Sequence, residues 1–355
     1  MITRKVEGGS ADYTLSFYSA AKALEIEGEK LFAAGDLEKA SEMYLRSACV
    51  LRIARFPYIT SFPQINCEAK WGAWTMQKRV YLKGASLWEH PVHEVEVPHT
   101  HRDGRDREVL PAYVRLPNDD GNATFPTVLL FTGLDGYRPD NSGRLHEFLA
   151  RNWATIVVEI PGTADCPADP ADPTSPDRLW DSLFDWMEGY GRFDMRNVMC
   201  WGLSAGGYYA SRIAHTHADR LVGVVAQGAG IHHFFHSDWL EKAEGHEYPF
   251  ELLPALAMKH GFTNTKEYLA VAQKMFSLVE TGIVEKPSTR LLLVNGTLDG
   301  LMPIEDSMLL FEYGRPKEAR FFTNALHMGY PSANMSVYPW MEEIMGLKTH
   351  GSRML

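Results

Sequence analysis

The 355-residue chain has no apolar run long enough to cross a membrane, no basic stripe and no closely paired cysteines. Each absence removes a class of function. A spanning helix needs about 20 consecutive apolar residues, and Met1 to Ser10 carries no apolar signal-peptide core. A soluble, intracellular (cytoplasmic) protein is therefore expected, with peripheral association at endosomal membranes left open. A formal charge of −10 without clustered Lys or Arg disfavours a nucleic-acid partner, which would call for a basic face. The four cysteines, Cys49, Cys67, Cys166 and Cys200, show no C-x-x-C spacing, so neither zinc nor dithiol chemistry is indicated and reduced, mostly buried thiols are expected. What is abundant is apolar material: 45% of residues are hydrophobic against 23% charged, enough for a large core and a small, weakly charged ligand.

Two patterns divide the chain. Residues 15–56 carry apolar side chains three and four apart, interrupted by Gly35-Asp36, which supplies a helix stop and a new N-cap; the spacing predicts a helical hairpin. It resembles a single tetratricopeptide unit, but one copy cannot build a solenoid, so a packing role in an N-terminal helical domain spanning 1–90 is expected. Beyond it, apolar segments at 93–98, 109–116, 125–132, 153–160, 197–201, 221–227, 289–295 and 318–323 alternate with helical stretches at 141–151, 176–189, 204–216, 304–313 and 335–346. That alternation predicts an α/β fold with a mostly parallel eight-stranded sheet covered on both faces, beginning antiparallel across the polar loop Thr100 to Arg107. The catalytic domain would comprise 91–229 and 287–355. The intervening 230–286 is too long for a bare loop and predicts a helical cap, inserted after the sixth strand, over the strand ends where such sheets bind ligands.

The most informative stretch is Cys200-Trp-Gly202-Leu-Ser204-Ala-Gly206-Gly, an apolar strand running through Gly-x-Ser-x-Gly into a helical pattern. In that context the serine is lifted onto a sharp strand-to-helix turn, and the glycines avoid collisions with the neighbouring strand and helix. Ser204 is the candidate nucleophile. A serine hydroxyl needs a base to take its proton and an acid to orient that base. In this chain order the acid follows the nucleophile and the histidine comes last. Leu291-Leu-Leu-Val leads into Asn295-Gly-Thr-Leu-Asp299-Gly300, and Arg320-Phe-Phe-Thr into Asn324-Ala-Leu-His327, so Asp299 and His327 are the candidate acid and base. Taken alone, Asp299 also reads as a turn former and His327 as one of fourteen histidines. Two backbone N–H groups should hold the tetrahedral oxyanion: Ala205, and one from Thr132-Gly-Leu134-Asp135-Gly136-Tyr137-Arg138, with Leu134 preferred to Asp135. Arg138 and Asp140 suit bracing this loop as well as touching substrate.

His232, His233 and His236 invite a metal reading, yet no carboxylate or cysteine completes a ligand set at recognisable spacing; they are read as pocket-wall or surface residues, with no metal site. The acidic, proline-rich stretch Asp165 to Asp177 lacks the spacing of a calcium loop and reads as a solvated loop. Aromatic side chains near the strand ends and in the cap, Tyr137, Phe234, Phe235 and Trp239, are the candidate substrate contacts.

With these motifs in view, the chain resembles the α/β-hydrolases of the FrsA-like group, and within it the fungal yellowish-green pigment hydrolases that shorten polyketides on the route to dihydroxynaphthalene melanin. The resemblance rests on Ala34-Gly-Asp-Leu-Glu-Lys-Ala40, Ile53-Ala-Arg-Phe-Pro57, Thr132-Gly-Leu-Asp-Gly136, Gly202-Leu-Ser-Ala-Gly206, Gly296-Thr-Leu-Asp-Gly300 and Leu326-His-Met-Gly329. A more distant bacterial relative, 2,6-dihydroxypseudooxynicotine hydrolase, breaks a carbon–carbon bond beside an aromatic ketone. The resemblance implies an α/β-hydrolase fold acting, without metal or organic cofactor, on the acyl side chain of a polyhydroxylated aromatic polyketide. The same machinery also suits an ester or lactone, and a silent hydrolase-fold binding protein is the alternative of a different class. The helical N-terminal domain is compatible with a homodimer.

Overall fold

The computed structural model describes residues 10–118, 121, 123–248 and 250–346; the 1–9 and 347–355 ends of the expected domains lie outside the described residues. The chain opens with four helices, α1 (Ala11–Ser16), α2 (Tyr18–Ala33), α3 (Leu37–Arg55) and α4 (Glu68–Ala85). The predicted break is where it was expected: Gly35 takes φ +81°, and the Asp36 carboxylate accepts the Lys39 N–H at 3.3 Å as the N-cap of α3. Eight strands follow: β1 (His93–Pro98), β2 (Val109–Arg115), β3 (Phe125–Phe131), β4 (Ala154–Val158), β5 (Phe193–Leu203), β6 (Gly223–Gln227), β7 (Leu291–Gly296) and β8 (Glu318–Phe322). Between and after them lie α5 (Ser142–Ala150), α6 (Ser175–Tyr190), α7 (Ala205–Thr216), α8 (Ser237–Ala243), α9 (Leu252–Lys259), α10 (Thr265–Phe276), α11 (Ile304–Leu309) and α12 (Asn334–Ile344).

All eight strands form one sheet in the order β1-β2-β4-β3-β5-β6-β7-β8. The β1–β2 and β2–β4 pairs are antiparallel and the rest parallel. Phe131 pairs with Gly202, and Gly202 with Ala226, so the C-terminal ends of β3, β5 and β6 finish at one edge. Side chains alternate across the sheet as a pleat requires. Leu129, Cys200 and Leu293 point into the layer containing α6, α7 and the β6–β7 insertion, while Leu130, Trp201 and Val294 point into the other. The N-terminal helices belong to that second layer: Leu51, Val80 and Tyr81 share one buried cluster with Tyr113, Phe148 and Val337, and Tyr81 stacks on Tyr113 at 5.6 Å.

The stretch from Asp165 corrects the sequence reading. Asp165, Cys166, Ala168 and Asp169 are packed in rather than solvated, because the acidic groups have cationic partners: Asp165 pairs with Lys78 and Arg138 at 2.7 and 2.8 Å, and Asp169 with Arg105 at 2.8 Å. Cys166 and Cys200 are buried as expected, whereas Cys49 is exposed.

The β6–β7 insertion is helical (α8 to α10) and is tied down by a buried lysine. Lys259, at the end of α9, is 2% exposed and donates from Nζ to the Tyr209 hydroxyl of α7 at 2.7 Å. Burial pushes its pKa down to about 7. The unfolded chain, with a lysine near 10.4, binds this proton between about pH 7 and 10.4 while the native state releases it, so this linkage raises stability with pH across that window. Lys259→Met removes the titration. Thermal melts from pH 7 to 10 should show the wild type gaining stability relative to the variant as pH rises; parallel curves would contradict the assignment.

Candidate active site

β5 ends in Leu203, and the chain turns into α7 within one residue. Ser204 sits at φ 56°, ψ −122°, a conformation costing a non-glycine residue on the order of 1–3 kcal/mol. It is held by its N–H on the Gln227 carbonyl at 2.8 Å and by the Gly207 N–H on its own carbonyl at 2.7 Å. The turn also needs side-chain-free neighbours: a Cβ on Gly202 would lie 2.1 Å from the Gly206 carbonyl oxygen, and one on Gly206 2.3 Å from that of Thr132.

Two loops leaving the same sheet edge complete a hydrogen-bonded line. His327 places Nε2 2.7 Å from Ser204 Oγ and Nδ1 2.8 Å from Asp299 Oδ2. The other Asp299 oxygen accepts the Leu301 and Met302 amides at 2.8 and 2.9 Å. Burial alone would raise this carboxyl, but His327 and the two amides outweigh it and hold Asp299 below the ordinary carboxylate value. The turn carrying His327 is fastened by Asn295, whose Oδ1 accepts the Met328 N–H at 3.1 Å, and by Gln227, whose amide donates to the Met328 carbonyl at 2.8 Å. Glu247, from the β6–β7 insertion, spans both loops: its oxygens accept the His327 and Gly300 amides, each at 2.9 Å.

The loop after β3 places Leu134 and Asp135 beside Ser204, lining the same cavity as Ala205. The Leu134 and Ala205 N–H groups carry no backbone hydrogen bond among the described residues, as oxyanion donors would require. The N-terminal helices hold this loop. Arg55, fully buried at the end of α3, donates to the Asp135 carbonyl at 2.8 Å and to Gln77 Oε1 at 2.6 Å, and pairs with Asp140. Asp140 in turn accepts the Tyr137 N–H and the Gln77 amide, each at 2.8 Å. Arg138 is likewise a brace, fully buried between Glu94, Glu159 and Asp165.

A cavity of about 220 Å³ opens at Ser204. Its apolar wall is Leu134, Phe234, Leu252, Leu256, Met302 and Met328, with Tyr248 and Glu247 at its polar side. Of the four expected substrate contacts, the structure places only Phe234 on this wall. Tyr137 is fully buried elsewhere, its hydroxyl donating to the Leu134 carbonyl at 2.9 Å and accepting the Ile59 N–H at 3.0 Å; it supports the loop. Phe235 lies edge-on to Phe234 at 5.0 Å, off the cavity wall, and packs on Tyr208, His260 and Phe276. Trp239 is half-buried on a separate surface groove, where its indole N–H donates to the Leu301 carbonyl at 3.0 Å. His232 pairs with Ser277 Oγ at 2.7 Å, while His233 and His236 line that surface groove; no set of three or more metal-ligating side chains is assembled among the described residues. Besides Phe234, the β6–β7 insertion brings Glu247, Tyr248, Leu252 and Leu256 to the cavity, none of which was expected from sequence as a substrate contact.

A mostly parallel eight-stranded sheet that presents a serine on a strand-to-helix turn is the α/β-hydrolase fold. The family model described as "Esterase FrsA-like" matches residues 17–346, and the chain belongs to that family. Esterase FrsA of Yersinia pestis (strain Pestoides F) is 22% identical over 323 residues, covering 89% of this chain and 74% of that protein. Among solved structures, 2,6-dihydroxy-pseudo-oxynicotine hydrolase superposes with a TM-score of 0.72 at 18% identity over 94% of this chain and 86% of its own. AbyA5 superposes with a TM-score of 0.67 at 20% identity, over 92% of this chain and 88% of its own. The chain is thus an α/β-hydrolase-fold hydrolase of the FrsA-like esterase family. No helix among the described residues is long and apolar enough to cross a membrane.

The bridging carboxylate generates an expectation. Glu247→Ala should release the turns bearing Asp299 and His327, lowering kcat on an activated ester by about ten- to a hundredfold while KM changes little, since small misplacements of reacting groups cost that much. Steady-state kinetics on a variant with an unaltered thermal melt checks it; a wild-type kcat would contradict it.

Proposed function

We propose that this chain is a serine hydrolase that removes a short acyl side chain from a polyhydroxylated aromatic ketone by breaking a carbon–carbon bond. The observation that carries the serine mechanism is the Ser204–His327–Asp299 line, with 2.7 and 2.8 Å contacts, at the mouth of an apolar cavity. His327 Nε2 takes the Ser204 proton as Oγ attacks the side-chain carbonyl, and Asp299 stabilises the resulting imidazolium and holds its orientation. The oxyanion rests on the Leu134 and Ala205 amides. Flanking hydroxyls let the ring react as its keto tautomer, in which a hydroxyl proton has moved to the carbon that bears the side chain. On collapse the bond to that carbon breaks, its electron pair passes through the ring to the ketonised oxygen, and that oxygen takes the proton from His327 as the hydroxyarene leaves. Water, activated by His327, then releases the acyl group from Ser204 as a carboxylic acid.

Support for the ring substrate comes from the motif resemblance to polyketide-shortening hydrolases, which points to an acyl-tetrahydroxynaphthalene or naphthopyrone, as formed on a route to dihydroxynaphthalene melanin. The apolar wall of Phe234, Leu252, Leu256 and Met302 suits an aromatic ring. The name of the structural relative 2,6-dihydroxy-pseudo-oxynicotine hydrolase also gives a dihydroxylated substrate. The family's esterase description favours a second reading, cleavage of a carboxylic ester or lactone by the same three residues.

Incubation with acetyl-tetrahydroxynaphthalene, followed by mass detection, should yield tetrahydroxynaphthalene and acetate. Ser204→Ala should reduce that rate by several orders of magnitude, and Asp299→Asn with His327→Ala together should be scarcely worse than either alone, as for residues acting as a unit. Hydrolysis of aryl esters without any cleavage of the acyl-arene would select the ester reading. Retention of more than a few per cent of the rate in Ser204→Ala would overturn both.

A further inference from the structure

Two carboxylates line the catalytic cavity outside the Ser204–His327–Asp299 line: Glu247 and Asp135. Glu247 is occupied by the His327 and Gly300 amides. The Asp135 carboxyl receives no hydrogen bond from any other residue among those described, although the loop that carries it is locked. The Asp135 carbonyl accepts from Arg55 at 2.8 Å, the Leu134 carbonyl from the Tyr137 hydroxyl at 2.9 Å, and Gly133 N–H reaches the Gly136 carbonyl at 3.2 Å. A fixed main chain holds beside Ser204 an acid that no other residue engages, and leaves that acid to a ligand.

The groups around it pull in both directions. Arg52 and Arg55 of α3 attract a carboxylate here and Asp140 repels one; the hydroxyls of Tyr137 and Tyr248 complete the nearby groups, with His327 and Glu247 also on the cavity wall. Burial outweighs the arginines and raises the carboxyl above its ordinary value. The chemistry of the site runs the same way. An ionised carboxylate next to the Leu134 amide would oppose the oxyanion forming there, whereas a neutral acid does not and offers an O–H donor.

We propose that Asp135 is a substrate-reading residue whose carboxyl O–H donates a hydrogen bond to the ring oxygen ortho to the acyl carbon that Ser204 attacks. The geometry selects that oxygen: Asp135 adjoins Leu134, the donor for the acyl oxygen, so the next oxygen on the same side of the substrate is the ortho hydroxyl. When the ring departs, charge flows onto this oxygen, and the contact strengthens as the bond breaks. The inference rests on Ser204 being the nucleophile; in an aryl ester, where the ester oxygen takes the charge, the hydroxyl ortho to that oxygen stands in for the group that Asp135 reads.

The test therefore uses two esters, 2-hydroxyphenyl acetate and phenyl acetate, and reads the ratio of their kcat/KM values, in which the folded fraction of each variant cancels. The wild type should favour the ortho-hydroxylated ester by about tenfold, the worth of one hydrogen bond in a desolvated site. Asp135→Ala should bring the ratio close to one, while Asp135→Asn, which keeps an N–H donor, should retain most of it. The wild-type preference should decline as pH rises through the Asp135 titration, and that decline should be absent in Asp135→Asn. A wild type without preference, a ratio unchanged in Asp135→Ala, or Asp135→Asn as unselective as Asp135→Ala would overturn the assignment. Hydrolysis of both esters with no cleavage of an acyl-arene would overturn carbon–carbon cleavage alone and leave this test standing; hydrolysis of neither would overturn the serine mechanism and this inference with it.

Discussion

The proposed catalytic edge depends on one backbone constraint, the turn that holds Ser204 at φ 56° between the last residue of β5 and the first turn of α7. A side chain in that conformation is tolerated only where the surroundings determine it. Here β5 is flanked on both sides by parallel partners, with Gly202 in register with Phe131 and Ala226. The carbonyls of Gly206 and Thr132 then approach so closely that neither Gly202 nor Gly206 has room for a Cβ. The same closeness brings the loop after β3 against Ser204, so the geometry that exposes the hydroxyl also assembles the amides of Leu134 and Ala205 around it.

Two parts of the molecule outside the sheet, and one residue of the sheet itself, support this edge. Arg55 joins the N-terminal helices to the Asp135 carbonyl and to Asp140, which makes those helices a support for the loop after β3 as well as a covering layer. Glu247 joins the β6–β7 insertion to the turns bearing Asp299 and His327. Gln227, at the end of β6, accepts from the Trp201 indole, donates to the Met328 carbonyl, and through its main chain holds Ser204. The insertion also supplies Phe234, Tyr248, Leu252 and Leu256 to the cavity wall, so one segment both shapes that space and fastens the turns bearing Asp299 and His327.

The parts legible in the sequence are those set by local rules. Strand periodicity located the sheet because a pleat alternates strictly, and the elbow was legible because few residues satisfy its sterics. The chain order of Ser204, Asp299 and His327 follows from which strand ends each loop leaves. What escaped notice depends on packing between distant segments. Phe234 and Phe235 are adjacent and chemically alike, yet the short turn carrying them directs one to the cavity and the other to Phe276. Tyr137 looked like a ligand contact because of its loop, and only the folded chain shows its hydroxyl spent on Ile59 and Leu134. The acidic stretch from Asp165 read as solvated because Lys78, Arg105 and Arg138, which neutralise it, come from other elements. One signal was available for Arg55: an arginine just before Phe56-Pro57, at the end of an amphipathic helix, is placed to reach out of it.

The central claim is that Ser204 becomes covalently acylated. The most direct measurement is an acid quench during turnover of an acylated hydroxynaphthalene or aryl ester, followed by proteolysis and mass analysis of the peptide containing Gly202-Leu-Ser-Ala-Gly206. The account expects this peptide to carry the mass of the acyl group, with the modification on Ser204 and absent from Ser204→Ala. Product formation with the acyl group on another residue, or with no covalent intermediate when deacylation is rate-limiting, would contradict it.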